Sequence, residues 1–182
     1  FWVTFERATS TGMGYGRLDQ IFYPYYLRDR EQGILDDLQA QQLIEALFLK
    51  EPMFCSIGGI TADGQDAVNR LSYLVLDAYD AIGGPSNLVV RWHPDADPGL
   101  FERATTILSK HGTGVPSMVN DLVIIPSLQR FGFPLEQARD YCFSGCFWYV
   151  VMGKEYPTHD LAAVSGPRAR NPSCSPPCAP PA

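Results

Sequence analysis

Runs of basic residues are the first thing this 182-residue sequence lacks. Its 14 Lys and Arg are outnumbered by 20 Asp and Glu, for a net charge of −6. Without a positive stripe to neutralise phosphates, nucleic acid is not an expected partner. Long apolar runs are also missing. None reaches the roughly 18–20 residues of a bilayer-crossing helix, so no membrane partner is expected either. The opening residues carry no signal-peptide pattern. Cys55, Cys142 and Cys146 sit in apolar settings, which points to reduced thiols and a cytoplasmic location.

Complete metal-ligand sets are absent as well. Cys142-x3-Cys146 starts like the C-x3-C-x2-C iron–sulfur motif of radical S-adenosylmethionine enzymes, but the third position is Tyr149. Joining that pair to Cys174 and Cys178 gives x3 spacings where zinc sites commonly use x2. No directly bound metal is expected. Gly112-Thr113-Gly114 has neither the lysine of a phosphate loop nor the spacing of a dinucleotide loop.

Apolar material is plentiful, 46% of residues against 19% charged, which suffices for one core of ordinary size. Helical spacing covers residues 17–31, with an interruption expected at Pro24. A second helix runs from Asp36 or Asp37 to about Lys50, with Leu38, Leu43, Ile44, Leu47 and Phe48 on its buried side. Residues 54–57 read as a strand closed by Gly58–Gly59. Residues 66–80 read as a helix with Val68, Leu71, Leu74, Val75 and Ala78 inward. Leu88–Trp92 is a strand, Pro98–His111 a helix and 118–119 a short strand. Residues 121–131 are a helix kinked at Pro126, with Asn120–Asp121 as its cap. Residues 135–140 form a short helix and 141–152 one continuous strand.

This βα alternation recurs about every 30 residues and predicts an α/β fold with a largely parallel sheet. Residues 1–164 form that domain. The Pro- and Ser-rich segment 165–182 reads as a disordered end or a frameshifted continuation. Phe1 opens the chain inside an aromatic stretch, so a piece of a longer protein is expected. In α/β sheets ligands gather at the carboxyl ends of the strands. Those ends carry Gly58–Gly59, Arg91–Trp92–His93 and Asn120–Asp121. Arg91 and His93 are candidate substrate contacts, Arg91 as a fork for a carboxylate.

Gly145–Cys146 sits where a charged helix end meets an aromatic strand. Alone, such a cysteine is most simply a small buried hydrophobe. Five stretches in order change that reading. They are Gly16–Arg17–Leu18–Asp19–Gln20 with Tyr23–Pro24–Tyr25–Tyr26, and Gly58–Gly59–Ile60–Thr61 with Asp63–Gly64, Asp66–Ala67 and Asn69. Val90–Arg91–Trp92–His93 and Gly112–Thr113–Gly114–Val115–Pro116 with Asn120–Asp121 come next. The last is Glu136–Gln137–Ala138–Arg139–Asp140–Tyr141 with Gly145–Cys146. Over roughly residues 14–156 the chain resembles the glycyl radical enzymes, the group of pyruvate formate-lyase and the glycerol and choline lyases.

That resemblance implies a partial α/β barrel of the pyruvate formate-lyase type. It implies that Cys146 becomes a transient thiyl radical that takes hydrogen from a small organic substrate. The initiating radical would reside on a glycine in an RV-x-G-[YF] loop, which this sequence does not contain. A partner activating enzyme using S-adenosylmethionine and an iron–sulfur cluster installs it. A homodimer of the full-length protein is also implied, and the chain by itself is expected to be inactive. Two departures narrow the chemistry. Pyruvate formate-lyase has adjacent cysteines, whereas Gly145 precedes Cys146. Dehydratase-type members place Glu two residues on, whereas Trp148 stands here and cannot move a proton at neutral pH. Trp148 is thus a candidate substrate contact beside the thiol. C–C cleavage, decarboxylation or radical addition is favoured over formate acetyltransfer or Glu-assisted dehydration. Glu155 or His159–Asp160 are candidate acid–base groups from further along. The alternative is a non-catalytic α/β remnant or binding module.

Overall fold

The computed structural model describes residues 14–50, 54–84, 87–144 and 148–154. Its elements are β1 (Gly14–Arg17), α1 (Leu18–Glu31), α2 (Asp37–Lys50), β2 (Phe54–Gly58), α3 (Arg70–Ala81), β3 (Leu88–Trp92) and α4 (Pro98–His111). Then follow β4 (Ser117–Asn120), α5 (Asp121–Arg130), α6 (Leu135–Arg139), β5 (Tyr141–Phe143) and β6 (Tyr149–Val151). Strands β1 to β4 pair in sequence order, all parallel. Parallel neighbours require crossovers, and helices supply them. The fold is α/β, with the sheet of a partial barrel, as expected.

Strand residues alternate between two faces. Cys55 and Ile57 of β2 and Leu88 and Val90 of β3 join the larger core, with Leu71, Leu74, Val75 and Ala78 of α3 and Ala104 and Ile107 of α4. Val89, between Leu88 and Val90, packs the other way. It meets Ile125 and Leu128 of α5, Ala138 of α6, Tyr141 and Phe143 of β5 and Val151 of β6. The sheet therefore has α1 to α4 on one face, and α5, α6 and the β5–β6 unit on the other.

Several expectations are corrected. The run 141–152 is not one strand. β5 and β6 pair antiparallel, with Tyr141 opposite Val151 and Phe143 opposite Tyr149. The Ser144 N–H donates to the Trp148 carbonyl at 2.8 Å, so the chain reverses between them. Apolar continuity masked the turn because both arms of the hairpin are apolar. The helix expected from residue 66 starts at Arg70. The Asn69 side chain accepts from the Leu71 and Ser72 N–H groups, while Ser72 Oγ accepts the Asn69 N–H. This reciprocal cap fixes the start.

Pro24 and Pro126 lie inside unbroken helices. Each removes one N–H, but buried side chains on both sides, Leu18 and Tyr26 in α1 and Ile125 and Leu128 in α5, hold the turns together. In α2 only Ala40, Ile44 and Phe48 are buried, and Leu38 and Leu43 are 61% and 62% exposed. The inward stripe is spaced i, i+4, i+8 and is narrower than the apolar composition suggests. Leu43 and Leu47 instead line a groove of about 300 Å³ with Phe22 and Tyr25 of α1. No helix among the described residues is long and apolar enough to cross a membrane.

Candidate active site

At the carboxyl ends of β1, β2 and β3, buried charge meets the start of β5. A parallel strand buried on both faces has no water for a charged residue at its end, so the partner must be internal. Arg91 ends the apolar run of β3 and is 1% exposed. Its Nε and Nη2 fork onto the two oxygens of Asp121, at 3.0 and 2.8 Å. Nη1 donates to the Tyr141 carbonyl at 2.8 Å and Nη2 to the Arg139 carbonyl at 2.9 Å. The guanidinium also stacks 3.9 Å from the centre of the Tyr141 ring. Burial works against its charge, but the hydrogen bonds and charge of Asp121 outweigh this and raise its pKa.

Asp121 holds more than Arg91. It accepts the Tyr141 hydroxyl at 2.6 Å and the Ile60 N–H at 2.9 Å. The expected capping role falls to Asn120 alone, which accepts the Leu122 N–H. The loop after β2 passes so close that Gly59 has no room for a side chain. A Cβ there would lie 2.6 Å from Arg91 Nε and 2.8 Å from Asp121 Oδ2, at a φ of +83°.

A second buried arginine ends β1. Arg17 Nη1 reaches the Arg139 carbonyl and Asp140 Oδ1, both at 3.3 Å, and Nη2 the Gly58 carbonyl at 3.1 Å. Burial and the nearby positive charge of Arg91 lower its pKa. Asp19 accepts the Gly58 N–H and the Ser72 hydroxyl, at 2.8 and 2.6 Å. Burial raises its carboxyl pKa, against the pull of the Gly58 N–H. Ser56, on the hairpin face of β2, accepts the Phe143 N–H at 3.0 Å. A Cβ on Gly14 would lie 2.8 Å from the Phe143 carbonyl, so β5 runs directly against β1.

The stretches that carry the family resemblance therefore converge in space. Arg17, Asp19, Gly58, Gly59, Asn69, Arg91, Asp121, Arg139 and Tyr141 hold the sheet ends, the loop after β2 and the entry to β5 together. Of the sequence-derived site residues, Cys146 lies outside the described residues, with Gly145 and Phe147. Ser144 and Trp148 flank it, and Trp148 is half-buried. Arg91 is brought to the strand that leads to Cys146, with its donors taken by Asp121 and two carbonyls. His93 goes elsewhere. It is buried, with Nε2 3.2 Å from Asp66 Oδ1 in the loop before α3. Glu155, His159 and Asp160 lie outside the described residues, as does the tail 165–182.

Burial pushes the Cys142 thiol up to about 11 and the Cys55 thiol up further. Both are inert as nucleophiles at neutral pH. Among the described residues no group of three or more His, Cys, Asp or Glu is placed to hold a metal ion. Sequence reasoning missed Asp121 as an ion-pair partner, and Ser56 and Tyr141 as hairpin anchors. The available signal was an arginine ending the run Leu88–Val89–Val90, which demands a buried acid.

The pyruvate formate lyase-like family model matches residues 2–169. The isethionate sulfite-lyase of Desulfovibrio desulfuricans is 34% identical over 164 residues, spanning 78% of this chain and 20% of that protein. The trans-4-hydroxy-L-proline dehydratase of Clostridioides difficile is 36% identical over 164 residues, spanning 77% of this chain and 20% of that protein. A solved structure from work on 1,2-propanediol dehydration in Roseburia inulinivorans superposes with a TM-score of 0.71 at 31% identity. It covers 76% of this chain and 20% of that one. The chain spans about a fifth of the length of the curated relatives it matches. By this agreement of family model, sequence and fold, the chain belongs to the pyruvate formate lyase-like family of glycyl radical enzymes.

Proposed function

We propose that this chain is the segment of a glycyl radical lyase whose Cys146 carries hydrogen to and from a small organic substrate. The observation that supports this most is the anchoring of β5, the strand that leads to Cys146. Tyr141, Cys142 and Phe143 are all buried. Their backbone is bonded to Arg91 near the carboxyl end of β3 and to Ser56 in the middle of β2, so β5 begins where α/β sheets bind ligands.

When present, a glycyl radical supplies the one-electron oxidation that makes the Cys146 sulfur a thiyl. The strand that leads to Cys146 supports such chemistry, since it is buried and Arg91, which holds its start, is paired with Asp121. The Cys146 sulfur then takes one hydrogen atom from a substrate C–H bond. An S–H bond forms, a C–H bond breaks, and the substrate radical fragments. The sulfur returns the hydrogen to the product radical. The protein contributes position and the exclusion of water and oxygen. A radical S-adenosylmethionine activating enzyme is the implied partner. This chain alone gives no turnover, because it contains no RV-x-G-[YF] loop.

Gly145 in place of a second cysteine disfavours acyl transfer. Trp148 in place of a glutamate favours a fragmentation that needs no general base, such as decarboxylation or C–C cleavage. The dehydratase relative keeps dehydration as the second reading. The test is a panel offered to the activated full-length protein: isethionate, trans-4-hydroxy-L-proline, propane-1,2-diol and an arylacetate. Turnover of the arylacetate supports the base-free reading. Loss of water from the proline or the diol overturns it in favour of dehydration. No radical and no turnover with any substrate favours the non-catalytic remnant.

A further inference from the structure

We infer that Arg91 is a positioning residue for the Cys146 hairpin rather than a contact for substrate. The proposal rests on the thiyl reading of Cys146 and adds what sets the place of its sulfur. Arg91 is spent inside the protein. Four of its hydrogen bonds go to Asp121 and to the carbonyls of Arg139 and Tyr141. Those carbonyls bracket the entry into β5, five to seven residues before Cys146.

The geometry is a lever with several fixed points. Asp121 is held by the Ile60 N–H on the loop after β2. Its other contacts grip the Arg91 fork and the Tyr141 hydroxyl. The Tyr141 ring stands 3.9 Å from the guanidinium, so both the backbone and the side chain of the first β5 residue are referred to β3. Ser56 fixes the third residue of β5, through the Phe143 N–H. Arg17 grips the Arg139 carbonyl from β1. Three parallel strands thus define where β5 lies. β5 is thereby fixed against the sheet, and a hydrogen-atom transfer over a short distance requires such fixed supports for the residue that carries it.

The chemistry of the fork matters. A guanidinium has five donors in one plane and can hold a carboxylate and two carbonyls at once, which an ammonium cannot reproduce. Lysine at position 91 keeps the charge opposite Asp121 but drops at least one carbonyl of the β5 entry.

The test uses the full-length protein with Arg91→Lys, Arg91→Gln and Tyr141→Phe, beside Cys146→Ala. The first readout needs no radical: amide deuterium uptake of the peptide spanning 140–149 in the unactivated protein. Uptake is expected to rise in Arg91→Gln, less in Arg91→Lys and least in Tyr141→Phe, with the α3 peptide unchanged. The second readout is steady-state kinetics at equal radical content. A displaced sulfur lowers kcat by about tenfold to a hundredfold, with KM within twofold of the parent. If Arg91→Gln does not fold, Arg91→Lys and Tyr141→Phe carry the same comparison.

Unchanged uptake at 140–149 overturns the proposal. So does faster uptake with kcat unaltered, since the hairpin would then be loosened without consequence. A rise in KM with kcat retained also overturns it and returns Arg91 to substrate binding. Cys146→Ala that still turns over shows instead that the thiyl reading failed, whatever the exchange data say.

Discussion

The Arg91 guanidinium forks onto Asp121 at 3.0 and 2.8 Å with both side chains fully buried, and the pair joins the end of β3 to the start of α5. Removing one member leaves an unpaired charge out of water. Arg91→Ala or Asp121→Ala should each cost about 3–5 kcal/mol of stability. The double variant should lose less than the sum. Denaturant unfolding of the four proteins checks this.

Gly59 and Gly33 separate two effects. Both have positive φ, +83° and +68°, but a Cβ on Gly33 meets nothing within 4 Å. Gly33→Ala should cost about 1–2 kcal/mol, the strain of the left-handed backbone alone. Gly59→Ala should cost clearly more, because its Cβ also intrudes between Arg91 and Asp121. The same unfolding measurement ranks them.

Thiol titration gives a pH dependence of fixed sign. Burial raises the Cys142 pKa from 9.0 to about 11. The unfolded state therefore releases that proton first. Stability tied to Cys142 is complete below pH 9, and it declines as pH rises through 9 to about 11. Cys55, raised by burial as well, works in the same direction. Alkylation mapped by mass spectrometry at pH 8 should leave both unmodified in the folded chain and modify both in urea. Cys142→Ser should flatten the alkaline limb.

The hairpin anchor on Ser56 is small enough to isolate. Ser56→Ala removes the acceptor of the Phe143 N–H and leaves a buried donor unpaired, at a cost of about 1–3 kcal/mol. Ser56→Thr keeps an acceptor and should recover part of it. Amide exchange at Phe143 reads the change locally.

The legible parts of the fold were those with strong local signals. Leu88–Trp92 and Pro98–His111 follow from an unbroken apolar run and from Pro98 and Gly112 bounding a helix, and the structure gives the same limits. The hairpin was not legible, since its turn lies inside an aromatic run and its pairing is set by tertiary contact. β1 was missed because four residues are too few to show alternation. In the site, Arg91 drew attention as a charge at a strand end, but its partner Asp121 is 30 residues away. No local rule links them. Asp121 looked like a helix cap because Asn120, its neighbour, is one.

The sulfur of residue 146 is the centre of the proposed chemistry. In the activated full-length protein, Cys146→Ala should hold the glycyl electron paramagnetic resonance doublet at the parent's intensity while substrate turnover vanishes. Turnover by Cys146→Ala at the parent's rate, with the same doublet, would contradict it.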